Sequence, residues 1–103
     1  MIVDIHTHCF PKEIRDHRER FFPDEPAFQL LYETPNARLV SADETVATMD
    51  AEGVDLSVVF GFPWSDMETC RLNNDYVIEV VGRHPDRLRG FCCVNPFLPG
   101  AAD

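Results

Sequence analysis

Apolar positions gather in three short blocks, with charged, amphipathic stretches between them. The run Met1–Ile5 is the first block, and its Ile2–Ile5 portion predicts a short strand. Cys9-Phe10-Pro11 breaks that strand. Pro11 suits the first turn of a helix, so Lys12–Arg20 is expected to be helical and highly charged. The spacings Arg15/Glu19 and Asp16/Arg20 would place opposite charges one turn apart. Phe21-Phe22-Pro23 ends it. Residues 23–40, with Pro23, Pro26 and Pro35, read as an irregular insertion containing a short helix over Ala27–Tyr32.

Regular patterning resumes at Ser41. Ser41-Ala42-Asp43-Glu44 matches a capping box, in which the serine hydroxyl caps the helix start and the glutamate reaches back. The helix should run to Glu52, with Val46 and Met49 on one face and Gly53 as its stop. Asp55–Phe60 is the second strand, followed by the loop Gly61-Phe62-Pro63-Trp64. Ser65-Asp66-Met67-Glu68 predicts a second capping box that opens a helix to Arg83. On that helix Cys70, Val77 and Val81, flanked by Tyr76 and Val80, share a face. Asn73 and Asn74 are expected to pack or to hydrogen-bond within the helix. His84-Pro85-Asp86 turns the chain, and Leu88–Val94 is the third strand, ended by Asn95-Pro96. Strands that alternate with helices argue for parallel βαβ units and an α/β fold.

His6-Thr7-His8 ends the first apolar block. Alternate strand residues face the same way, so both imidazoles share a side with Cα atoms about 6.6 Å apart. Two such rings can converge on one cation at roughly 2.0–2.1 Å. Chemistry in parallel α/β folds gathers at the carboxyl ends of strands, where this pair sits. Asp4 has the same strand phase and is expected to orient a ligand histidine. A zinc site that works on a substrate takes three protein ligands and a water. The other histidines, His17 on the charged helix and His84 between a helix and a strand, suit surface roles. Cys9, next to the pair, is either a pocket-lining residue or a packed thiol.

At 103 residues the chain is at most one ordinary domain. Its net charge of −9 and single lysine, Lys12, argue against nucleic-acid binding. No stretch approaches the ~20 apolar residues of a membrane span, and no targeting segment is visible. The four cysteines, Cys9, Cys70, Cys92 and Cys93, lack zinc-finger spacing and read as reduced, mostly buried thiols of a cytoplasmic protein.

The segment Ile2-Val3-Asp4-Ile5-His6-Thr7-His8-Cys9-Phe10-Pro11 resembles the amidohydrolase superfamily. Within it, the resemblance is to the branch related to aminocarboxymuconate semialdehyde decarboxylase. Met49-Asp50-Ala51-Glu52-Gly53-Val54-Asp55, Asn73-Asn74-Asp75-Tyr76 and His84-Pro85-Asp86-Arg87-Leu88-Arg89-Gly90-Phe91 extend the likeness in order along the chain. It is weakest over residues 20–40.

The resemblance implies the N-terminal part, three βα strands, of a TIM-like (β/α)8 barrel, residues 1–103, with an insertion at about 10–40. It implies a divalent metal, usually zinc, held by His6 and His8, with the remaining ligands and catalytic residues beyond this chain. The implied activity is hydrolysis or nonoxidative decarboxylation of small carboxylated substrates, with the metal activating water or polarising the substrate. Arg38 is a candidate carboxylate clamp or a plain surface arginine. Trp64 is a candidate pocket wall or ordinary packing, and Asn95 either faces a pocket or starts the turn before Pro96. A phosphoesterase barrel of the polymerase-and-histidinol-phosphatase type also opens with His-x-His, but Phe10-Pro11 disfavours it. A catalytically inert truncated domain is the third reading. Three strands alone would expose sheet edges and apolar faces, so the isolated chain is expected to be marginal, self-associating or inactive, with a homodimer kept open.

Overall fold

Ser41 starts the helix that organises the middle of the chain. In the computed structural model, which describes residues 1–103, the Ser41 Oγ accepts from the Glu44 amide at 3.1 Å, and Glu44 Oε1 accepts from the Ser41 amide at 3.3 Å. This closes the capping box expected from the sequence. Gly53, at φ 72°, ends the helix in the left-handed region that a glycine adopts without Cβ strain.

The elements are β1 (Val3–His8), α1 (Lys12–Asp16), α2 (Pro26–Tyr32), α3 (Ala42–Glu52), β2 (Leu56–Phe60), α4 (Met67–Arg83) and β3 (Leu88–Gly90). Short 3-10 turns at Arg18–Arg20 and Phe22–Asp24 lie between α1 and α2. The three strands form one parallel sheet in the order β1-β2-β3. The fold is α/β, with each crossover carrying helix, as parallel pairing requires.

Strand β2 alternates cleanly. Ser57 and Val59 are buried, while Leu56, Val58 and Phe60 are half-buried on the other face. Val59 belongs to a core with Cys9, Ala42, Met49, Val77, Val80 and Leu88, so α3 and α4 cover this side. A second core of Phe10, Ile14, Phe28, Leu39, Phe62, Trp64 and Cys70 joins the insertion to the loop after β2. Apolar residues remain exposed on β1 and after β3, among them Ile5 and Phe91.

The charged first helix is shorter than its pattern predicts. It breaks at His17 (φ −136°, ψ 41°), so neither expected i,i+4 pair forms. Arg15 Nε instead donates to the Phe10 carbonyl at 2.9 Å, and Arg18 Nη1 donates to the carbonyls of Tyr32 and Ala37 at 3.1 and 2.6 Å. These arginines hold the insertion closed rather than decorating a solvated face. Strand β3 also stops early, at Gly90, although Phe91 still donates to the Val59 carbonyl at 3.0 Å. The cap of α4 is Asp66, one residue later than expected; its carboxylate accepts from the Thr69 amide and hydroxyl at 2.9 and 2.8 Å. Ser65 is displaced from that role because buried Glu25 accepts from the Ser65 and Asp66 amides, at 2.8 and 3.1 Å. No helix is long and apolar enough to cross a membrane.

Ser41→Ala removes one half of the α3 box, and we expect it to lower stability by about 1 kcal/mol. Urea denaturation followed by far-ultraviolet circular dichroism checks this.

Candidate metal centre

The pairing of β1 with β2 is irregular at one place, and that place shapes the histidine pair. Asp4 is opposite Ser57, and Thr7 is opposite Val59, so three steps along β1 match two along β2. This is a β-bulge, which re-aims the side chains that follow it. Asp4 and Thr7 thereby fall on the same side as Ser57, lining a depression against α3 with Thr45, Thr48 and Met49. Asp4 Oδ2 accepts from the Thr7 hydroxyl at 3.0 Å, and Oδ1 from the His6 amide at 3.1 Å. The expectation that Asp4 shares the histidine face and orients an imidazole is therefore corrected. Its carboxylate holds the bulge.

Beyond the bulge His8 is opposite Phe60, on the face away from α3 and α4. The His6 and His8 rings both lie edge-on to Phe60, with centroids 4.9 and 4.8 Å from it. The two Nε2 atoms approach to 3.3 Å. His8 Nδ1 lies 2.7 Å from the Gly61 carbonyl oxygen. A carbonyl can only accept, so Nδ1 carries a proton, and in the neutral imidazole Nε2 then keeps its lone pair.

Two nitrogens at this separation suit one cation. With both bonds at ~2.0–2.1 Å, an N–N distance of 3.3 Å subtends about 104–111° at the metal, close to the tetrahedral angle. The second nitrogen of His8 is anchored to a carbonyl, as is usual for ligand imidazoles. The residues present thus fit half of a zinc-type site. No group of three or more histidine, cysteine, aspartate or glutamate side chains in the chain could hold a metal by itself.

The other candidates are not gathered around this pair. Arg38 is largely exposed, and its Nη2 pairs with Glu44 Oε2 at 3.0 Å. Asn95 Oδ1 accepts from the Phe97 amide at 3.0 Å, so its carboxamide closes its own turn. Trp64 is fully buried among Phe10, Phe28 and Phe62, with its Nε1 donating to Asn73 Oδ1 at 3.0 Å. That burial places the indole in packing, one of the two readings open for Trp64, and leaves it no exposed surface as a pocket wall in this arrangement. His84 Nε2 sits 3.1 Å from Asp43 Oδ1, and this contact, with Arg83 nearby, holds the Asp43 carboxyl below its usual range.

Cys9 is wholly buried under α3 and α4, and burial pushes its thiol up to about 12. It packs; it neither lines a pocket nor ligates. Cys70 is likewise buried, whereas Cys92 is exposed and Cys93 half-exposed, so the reading of mostly buried thiols holds for only part of the set.

Sequence patterning did not reveal the groups that hold the chain just beyond β1 and β3. Asn73 bonds outside its helix, its Nδ2 donating to the Cys9 carbonyl at 3.0 Å. Asn74 clamps Cys93, donating to its carbonyl and accepting from its amide, both at 3.0 Å. The one available signal was the run of two asparagines on the otherwise apolar face of α4.

No protein-family model matches the chain. Among solved structures it is similar to 4-oxalomesaconate hydratase, LigJ, from Rhodopseudomonas palustris, with 24% identity and a TM-score of 0.54. The match covers 97% of this chain and 34% of the hydratase chain. The likeness is one of fold. The chain spans about a third of the hydratase's length, and its α/β arrangement corresponds to part of a β/α barrel.

The burial pattern predicts an order of thiol reactivity. With iodoacetamide near pH 8, Cys92 should be alkylated first and Cys9 only after unfolding. Peptide mass mapping of a time course reads this directly, and early labelling of Cys9 would contradict its place in the core.

Proposed function

We propose that this chain supplies two histidine ligands, His6 and His8, to the divalent-metal site of a β/α-barrel enzyme. The observation that carries the proposal is the convergence of the two Nε2 atoms at 3.3 Å, with His8 held by the Gly61 carbonyl. The ordered motifs that resemble the amidohydrolase superfamily support it, and the fold shared with a hydratase agrees in kind. Zinc is the expected ion, because two neutral imidazoles at a near-tetrahedral angle suit it. The remaining ligands would come from residues outside these 103.

A metal bound here would lower the pKa of its water towards ~7 and polarise a carbonyl or carboxylate of the substrate. The chain's own residues prepare for that. The Nδ1–H bond to Gly61 keeps His8 in the tautomer whose Nε2 can ligate. Phe60 packs against both rings and limits their rotation. The bulge at Asp4–Thr7 turns Asp4 to the α3 side, away from the side that His8 shares with Phe60. The substrate class we infer is a small carboxylated molecule, transformed by hydration, hydrolysis or nonoxidative decarboxylation. Towards such a carboxylate, Arg38 has its Nη2 engaged by Glu44, and Asn95 has its Oδ1 engaged in its own turn while its Nδ2 remains a donor.

Metal analysis of the intact protein tests the assignment. We expect one tightly held divalent ion per chain, lost when His6→Ala and His8→Ala are combined. Metal content unchanged in the double variant would refute the ligand roles.

A further inference from the structure

Asn73 is a polar residue in the middle of α4, yet it is only 1% exposed. Its hydrogen-bonding capacity reaches two different segments. Nδ2 donates to the Cys9 carbonyl and Oδ1 accepts from Trp64 Nε1, both at 3.0 Å. The same carboxamide lies directly over Gly61. A Cβ at that glycine would sit 2.5 Å from both Asn73 Cγ and Oδ1, so the close approach requires a residue without a side chain.

These contacts converge on His8 from two sides. Cys9 is the residue after His8, so its peptide continues the strand that carries the imidazole. Gly61 supplies the carbonyl that accepts from His8 Nδ1 at 2.7 Å. Trp64 closes the loop that Gly61 begins. One carboxamide therefore spans the carboxyl ends of β1 and β2 and sets their separation at the candidate metal centre.

We propose that Asn73 is a positioning residue for His8, fixing the tautomer and aim of that imidazole through the Cys9 and Gly61 peptides. This rests on the reading of His6 and His8 as metal ligands, but its structural half does not need a metal. Neighbouring groups that orient a ligand histidine typically change metal affinity about 10–100-fold when removed. An aspartate in place of Asn73 keeps the shape and can still accept from Trp64. It cannot donate to the Cys9 carbonyl, and it sets a negative charge against that oxygen. Asn73→Asp thus breaks the bond nearest His8 while sparing the bond to the indole.

The test uses the intact protein with 15N-labelled histidine, without added metal, in alkaline buffer. Long-range proton–nitrogen NMR correlations report which ring nitrogen of His8 is protonated. In the wild type we expect Nδ1 protonated and Nε2 bare. In Asn73→Asp we expect a mixture of tautomers and, by zinc titration, affinity about 10–100-fold weaker. Gly61→Ala should do the same by pushing the carboxamide aside, and it carries the test if Asn73→Asp does not fold.

Folded variants that keep both the wild-type tautomer and the wild-type zinc affinity would overturn the positioning role. A wild type that shows the Nδ1–H tautomer but binds no zinc would instead refute the ligand reading. The tautomer comparison among variants would still decide the role of Asn73.

Discussion

The hydrogen bond from His8 Nδ1 to the Gly61 carbonyl joins the carboxyl ends of the first two strands, and the candidate site is organised around it. It spans 53 residues of sequence, so it exists only because β1 and β2 are paired. Its length depends on Asn73 pressing against Gly61 and bonding to Cys9. Its consequence is a bare Nε2 on His8, facing His6 across 3.3 Å. Without the bond, the imidazole could turn or change tautomer, and the pair would lose its common focus.

The bulge in β1 is the second constraint, and it illustrates where strand periodicity stops being a guide. Simple alternation puts Asp4, His6 and His8 on one face. The extra residue between Asp4 and Thr7 reverses the phase before the bulge, moving Asp4 to the side of Ser57 and α3. No single-residue pattern in Val3–His8 announces that change, because a bulge is decided by how two strands register against each other.

Local signals were otherwise good guides where the responsible atoms lie within one turn. The Ser41–Glu44 box, the stop at Gly53 and the far end of α4 at Arg83 depend on neighbours in sequence and were readable there. Features decided by distant partners were not. Glu25 takes the Ser65 amide and shifts the cap of α4 to Asp66, across some 40 residues of sequence. Trp64 looked equally suited to a pocket wall and to a core, and the aromatic cluster built by the insertion settled it as core. Asn73 and Asn74 read as helix polar groups, while their partners are the strand-end segments at Cys9 and Cys93.

The central claim is that His6 and His8 share one metal ion, and anomalous diffraction at the zinc edge on zinc-loaded crystals of the intact protein tests it most directly. The account predicts a peak about 2.0–2.1 Å from both Nε2 atoms, with His8 Nδ1 still bonded to the Gly61 carbonyl. A peak ligated by other residues, with the two imidazoles still bonded to each other, would contradict it.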